Sequence, residues 1–372
     1  MKKVVLIPAS FKGSLSSIEV IKVMKDAIHS LYPDCEIISL PISDGGEGFV
    51  DAWLLAKKGK KVSLMTHDPF LRPIRSYYGL LKNGTALIEL ATTAGLHLVQ
   101  DQPNPSIAST RGVGEQILLA VSKGIKSIYL GLGGSATNDA GTGLIEALGY
   151  RFYDHDDHLF SPNGSNLSNI HRIDDSHVIE AVKSVSITIL SDVTNPLYGP
   201  LGAAKVFAPQ KGADALMVEE LDRNLLSYSI FLKERYDFNT DFPGAGAAGG
   251  TPVSVMCFLN ATLRSGIEAI LEGLQFDDHL INADLVITGE GRLDSQSLKG
   301  KAIDGIAKHC FDHSVPCIAI AGQIKDIEPS AYPKGLTGAY SVVGQSVSVT
   351  EALAHPQKHV FETTLLALKE TL

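Results

Sequence analysis

The chain predicts an α/β protein of two domains, and three observations carry that expectation. Short apolar runs recur, as at Val4 to Ile7, Ile187 to Leu190 and Leu285 to Thr288, and they end at Pro8, Ser191-Asp192 and Gly289. Such runs are the pattern of strands buried in a parallel sheet. From about Lys60 the rhythm changes to short strands over 61–66, 74–78 and 86–90, joined by the turn dipeptides Asp68-Pro69 and Asn83-Gly84. Asn-Gly between two such runs signals an antiparallel hairpin. At 372 residues the chain also exceeds the size at which one core stops growing. The expected division is a discontinuous Rossmann-like parallel-sheet domain over 1–60 and 280–372. A mixed α/β domain with antiparallel strands and a glycine-rich loop is inserted over 61–279.

Composition narrows the function classes. The chain is 44% hydrophobic and 20% charged, with a formal charge of −9. No dense Lys/Arg run appears, which argues against a nucleic-acid or anionic-membrane partner. No apolar run approaches the roughly 20 residues that span a bilayer, and Met1 to Ile7 is too short for a secretory h-region. The chain is expected in the cytoplasm. Cys35, Cys257, Cys310 and Cys317 lack C-x-x-C spacing, and Cys310 and Cys317, in partly apolar contexts, read as reduced core residues.

Along the chain, the first strand ends at Pro8 and is followed by Ser10, Lys12, Gly13 and further serines. Lys12 there suits a phosphate or carboxylate clamp. Ser16 or Ser17 would cap a helix whose inward residues are Ile18, Val20, Ile21, Met24 and Ile28. A second strand, Ile37 to Leu40, leads to Ser43-Asp-Gly-Gly-Glu-Gly48. Asp44 and Glu47 suit Mg²⁺ ligation or proton abstraction; alternatively they form a capping box. Glu89 stands out in an apolar strand. Arg111, in Ser109-Thr-Arg-Gly112, could grip an anion bidentately or stabilise its own loop.

The densest signal is Gly131-Leu-Gly-Gly-Ser-Ala-Thr-Asn-Asp-Ala-Gly-Thr-Gly143, between an apolar run and a helix-like segment. That order aims backbone N–H groups and a helix start at an anion. Gly133, Gly134, Ser135, Thr137, Asn138 and Gly141 are the candidate phosphate contacts, and Asp139 a candidate metal ligand. The loop matches neither G-x-x-x-x-G-K-[ST] nor G-x-G-x-x-G, so by itself it names no nucleotide. Asp154 to His158 reads as an exposed hairpin tip rather than a metal site. Asp192, after the strand 187–190, is a candidate base or a loop-shaping Asx turn. Lys205 and Lys211 offer further cations. Residues 213–236 read as an amphipathic helix with Leu216, Val218, Leu221, Leu225 and Ile230 inward. Pro243 to Gly250 suits a flexible linker, a packed loop or a hinge. Glu290, Arg292, Asp294 and Lys299 crowd a charged loop after the strand ending at Thr288. Carboxylates, glycine turns and scattered cations make a kit for phosphoryl transfer.

Five motifs in order carry a resemblance that runs from about residue 3 to about 370. Ser10-Phe-Lys-Gly-Ser-Leu-Ser16, Ser43 to Gly48, Gly131 to Gly143, Ser191-Asp-Val-Thr-Asn-Pro196 and Thr288-Gly-Glu-Gly-Arg-Leu-Asp-Ser295 resemble those of the type I glycerate kinases. The resemblance implies ATP- and Mg²⁺-dependent phosphorylation of D-glycerate, usually to 2-phosphoglycerate, by two α/β domains with the active site in the cleft between them. Under that reading Asp192, then Asp44, would accept the hydroxyl proton, with Lys12 in the catalytic set. Ser10, Arg111, Glu47 and Lys12 would hold substrate, and Glu290, Asp294 or Asp139 would hold Mg²⁺. Partners are the two small substrates, with a homodimer left open. The family commonly has Asp where this chain has Ala9, so another short hydroxy acid is the alternative substrate. A non-catalytic binder of small anions is the alternative of a different class.

Overall fold

The computed structural model describes residues 1–11, 13–42, 48–294, 302–344 and 346–371. Numbered along the chain among these residues, β1 (Lys3–Pro8) and β2 (Glu36–Ser39) precede β3 (Lys60–His67), β4 (Pro73–Leu80), β5 (Thr85–Glu89) and β6 (Ser127–Gly131). Next come β7 (Arg151–Tyr153), β8 (Leu159–Phe160), β9 (Arg172–Asp174), β10 (Ser186–Leu190) and β11 (Thr262–Arg264). The last three are β12 (Leu285–Leu293), β13 (Cys317–Ile324) and β14 (Leu336–Ser341). The chain divides into two compact units, residues 1–44 with 267–372 and residues 45–266.

In the first unit a parallel sheet runs β14-β13-β12-β1-β2. Val4, Val5, Leu6 and Ile7 of its central β1 are fully buried, as a strand covered on both faces requires. The chain winds outward in opposite directions from the β1–β12 pair, so the carboxyl ends of these strands mark a topological switch point. The helix Ser17–Leu31 begins with a capping box between Ser16 and Glu19 and buries Val20, Ile21, Met24 and Ile28. Ile18 is half exposed.

The second unit holds a six-stranded sheet ordered β11-β10-β6-β5-β4-β3, with β11, β10, β6 and β5 parallel and β4 and β3 antiparallel. The β4–β5 turn is the expected Asn83-Gly84 hairpin, with Gly84 at φ +85° and its N–H on the Leu81 carbonyl. A small antiparallel sheet, β8-β7-β9, completes the unit.

These units are cut at 44/45 and 266/267, against expected cuts at 60/61 and 279/280. The helix Phe49–Lys57 sits in the second unit because Val50 and Leu54 fill the space left by the missing side chain of Gly79 on β4. Ile267 packs against Gly305 of the first unit. β12 continues to Leu293, so Gly289 to Leu293, expected as the start of a charged loop after Thr288, are strand. Along the helix Ala215–Tyr236 the buried stripe is Val218, Leu221, Leu225, Tyr228 and Leu232. Leu216 is 82% exposed and Ile230 50%; both fall off that 3.6-residue stripe. Ala245, Gly246, Ala247, Gly249 and Gly250 are buried, making the 243–250 stretch a packed loop rather than a linker. Among the described residues no helix is long and apolar enough to cross a membrane.

Candidate active site

The carboxyl edge of the second unit's sheet gathers the loops that the sequence singles out. Leu190 of β10 lies beside Gly131 of β6, with β5 on the other side of β6 and β11 beyond β10. Open α/β sheets form their ligand sites beyond this edge. β10 delivers Asp192, whose Oδ1 accepts hydrogen bonds from the Ser265 hydroxyl and the Gly266 N–H, each at 2.8 Å. A Cβ at Gly266 would lie 3.0 Å from Asp192 Oδ2, so glycine lets the carboxylate approach. Asp192 is thus anchored to the turn after β11 and does more than shape its own loop.

The glycine-rich loop after β6 splits into an open part and an enclosed part. Gly133 is half-buried, Gly134 is exposed in the left-handed region at φ +74°, and Ser135 is 9% exposed. Beyond Ser135 the chain turns inward, and Thr137, Asn138, Asp139, Ala140 and Thr142 are fully buried. Both oxygens of Asp139 are used by the protein's own donors. Oδ2 accepts from the Thr110 N–H and hydroxyl at 2.8 Å and from the Gly143 N–H at 3.3 Å, while Oδ1 accepts from the Gly141 N–H at 3.1 Å. The Leu144 N–H goes to the Thr110 hydroxyl.

This corrects the expected geometry. The anion at the start of the six-residue helix Thr142–Ala147 is the protein's own Asp139 carboxylate, not a ligand. Burial raises the Asp139 pKa, against the pull of its Thr110, Gly141 and Gly143 donors. Enclosed in this way, Asp139 does not face a metal. Gly141, at φ +78° against the Thr251 carbonyl, also lies behind the loop. Thr137 Oγ1 and both polar atoms of the Asn138 amide are buried without a hydrogen-bond partner among the described residues. Of the six phosphate candidates, Gly133, Gly134 and Ser135 form the open part. Gly249 backs the enclosed part, since a Cβ there would sit 2.1 Å from the Thr137 carbonyl oxygen.

Two polar side chains hold a more central structural place than the sequence reading gave them. Lys211 is 3% exposed, and its Nζ donates to Ser135 Oγ and to the Thr137 carbonyl, each at 2.8 Å. Its signal was the motif Pro209-Gln-Lys-Gly212. Glu89, the carboxylate in an apolar strand, accepts the Gly48 N–H at 3.1 Å and the Val50 N–H at 3.3 Å. It thereby places negative charge at the start of the helix Phe49–Lys57. Arg111 follows its structural alternative, with Nε 3.3 Å from Glu115 Oε1 and Nη1 3.1 Å from Glu146 Oε2. Two carboxylates already occupy the guanidinium expected to grip substrate.

In the first unit the Ala9 N–H donates to the Gly289 carbonyl, which leaves half-buried Ser10 at the carboxyl end of β1. Glu290 and Arg292 alternate along β12, opposite Ala321 and Gln323 of β13. Asp294 follows the strand, with Oδ2 3.5 Å from Arg292 Nε. Lys12, Asp44, Glu47 and Lys299 lie outside the described residues. At the exposed 154–158 turn, Asp154 Oδ1 accepts the Asp156 and His158 N–H groups and so shapes the hairpin.

Comparison with known proteins shows the family. A family model described as "Glycerate kinase family" matches residues 4–369. The chain is 39% identical over 364 residues to the glycerate kinase of Bacillus subtilis strain 168, covering 97% of this chain and 95% of that protein. Against the glycerate 2-kinase of Escherichia coli K12 it is 38% identical, covering 94% and 93%. The crystal structure titled putative glycerate kinase 2 from Salmonella typhimurium LT2 superposes with a TM-score of 0.85 at 36% identity, over 100% of both chains. The chain belongs to the glycerate kinase family of phosphotransferases.

Proposed function

We propose that this protein transfers the γ-phosphoryl group of ATP to the 2-hydroxyl of D-glycerate, giving 2-phosphoglycerate and ADP. The observation that carries the reading is the pairing of β6 with β10, which sets the open glycine turn 133–135 beside a carboxylate fixed by two donors. Membership of the family and the likeness to a glycerate 2-kinase support it.

In this reading Asp192 accepts the hydroxyl proton as the glycerate oxygen bonds to phosphorus and the bond to ADP breaks. The Ser265 hydroxyl and Gly266 N–H keep that carboxylate aimed. Backbone N–H groups and the hydroxyl of Gly133 to Ser135 receive phosphate oxygens. Ser10 contributes a hydroxyl for the glycerate carboxylate. Glu290 and Asp294 supply the hard oxygen donors that Mg²⁺ prefers, and they are the residues that would hold it. Bound Mg²⁺ would offset the negative charge of the nucleotide phosphates.

The test supplies D-glycerate, ATP and Mg²⁺, with enolase as the only coupling enzyme. Immediate phosphoenolpyruvate formation is expected. ADP release without phosphoenolpyruvate would overturn transfer to the 2-hydroxyl. No ADP release with D-glycerate, but release with another short hydroxy acid, would transfer the reading to that substrate.

A further inference from the structure

We infer that Lys211 is a positioning residue that acts through Ser135, fixing the serine oxygen as an acceptor so that its O–H is presented to a nucleotide phosphate. The inference rests on the kinase reading of the glycine loop and adds the residue that arms it. An ammonium group has three donors and no acceptor. While Lys211 is protonated, the serine oxygen is therefore the acceptor at the 2.8 Å contact between Lys211 Nζ and Ser135 Oγ. The hydroxyl hydrogen is then left to donate elsewhere, and among the described residues the Ser135 hydroxyl makes no other hydrogen bond. Ser135, 9% exposed, directly follows the exposed Gly134, so this unspent donor borders the open end of the loop. A second N–H of Lys211 holds the Thr137 carbonyl at 2.8 Å, where the chain turns inward. The one cation thus pins the loop on both sides of Ala136.

The lysine is built into place. It ends the turn Pro209–Lys211, and the following Gly212 adopts φ +96° with its Cα face against the Pro103 carbonyl, 2.3 Å from where a Cβ would sit. Burial of this kind disfavours a charged group unless it is compensated. Burial pushes the Lys211 pKa down to about 7, while the Asp139 carboxylate, the charged group whose field reaches it, opposes that shift. A phosphate received by Ser135 adds a further negative charge and favours the ammonium form.

The test measures affinity for a non-hydrolysable ATP analogue by calorimetry, without glycerate, for the wild-type protein, Lys211→Met, Ser135→Ala and the double variant. Each single substitution is expected to weaken binding about tenfold, and the double variant no more than the weaker single. Between about pH 6 and about pH 9, wild-type affinity is expected to fall by more than it does in Lys211→Met, the analogue's own titration being common to both. Additive losses, or a folded Lys211→Met with wild-type affinity and pH profile, would overturn the inference. Should Lys211→Met not fold, Ser135→Ala alone decides: the same pH-dependent loss as wild type would overturn it. A wild-type protein that binds no nucleotide fails both readings. One that binds the analogue but phosphorylates no glycerate fails only the kinase reading.

Discussion

Thr110 gives Asp139 two hydrogen bonds at once, its backbone N–H and its hydroxyl both reaching Oδ2 at 2.8 Å. With the Gly141 and Gly143 N–H groups, the carboxylate satisfies four donors in a fully buried position. Asp139→Ala would strand all four. We expect a loss of about 3 kcal/mol or more in stability, read by denaturant unfolding. A fully stable variant would show that the loop holds its shape without this carboxylate.

Asp192→Asn keeps the shape of the side chain but removes its capacity to take a proton. Turnover is expected to fall by about two orders of magnitude or more, with KM for glycerate changed little. Steady-state kinetics decides this, and near-normal turnover would remove Asp192 from the role of base.

Gly249→Ala tests the packing behind the glycine loop. The position has φ +68°, and an added Cβ would lie 2.1 Å from the Thr137 oxygen and 2.6 Å from the Asn138 Cα. Backbone at that distance has to shift, so a cost of about 3 kcal/mol is expected, together with lower affinity for nucleotide. Gly84→Ala is the control: it has φ +85° and nothing within 4 Å. It should cost only the left-handed strain of about 1 kcal/mol. Equal melting temperatures for the two variants would contradict the account.

His309 predicts a pH dependence of stability within the first unit. Burial disfavours its charge, but Asp277 at 2.6 Å from Nδ1 and Glu268 at 3.2 Å from Nε2 outweigh that, and the pKa is raised. His313 lies 3.8 Å from the same Asp277 oxygen. A folded pKa above the unfolded value of about 6.5 gives stability that is fully present below that value. The contribution is lost as pH rises through the raised folded pKa. The melting temperature should therefore decline from about pH 6 to about pH 8, and less steeply in His309→Gln. An unchanged slope in the variant would assign the decline to other groups.

Strand positions were legible along most of the chain, because a run such as Val4 to Ile7 can be buried only in a covered sheet. The Asn83-Gly84 hairpin was legible for an equally local reason, since its backbone needs a residue tolerant of positive φ. Glu290 and Arg292, expected in a loop after Thr288, lie in a strand because they pair with β13 from later in the chain. Leu216 was misplaced because hydrophobicity alone does not say which stripe of a helix meets the core.

By itself the sequence determined the α/β class, the order of the motifs, the family and the strand ends at which functional side chains would stand. The class and the strand ends follow from local backbone preference and from the period of apolar residues, both written in contiguous residues, and the family from the resemblance of five motifs in order. Only the tertiary structure decided which side of each loop faces outward. Asp139 turned from candidate metal ligand to internal cap because Thr110 approaches from another segment of the chain. Arg111 was taken up by Glu146, and Lys211 became the cation beneath Ser135. Contacts between residues far apart in sequence fix burial and pairing, and local pattern carries no record of them.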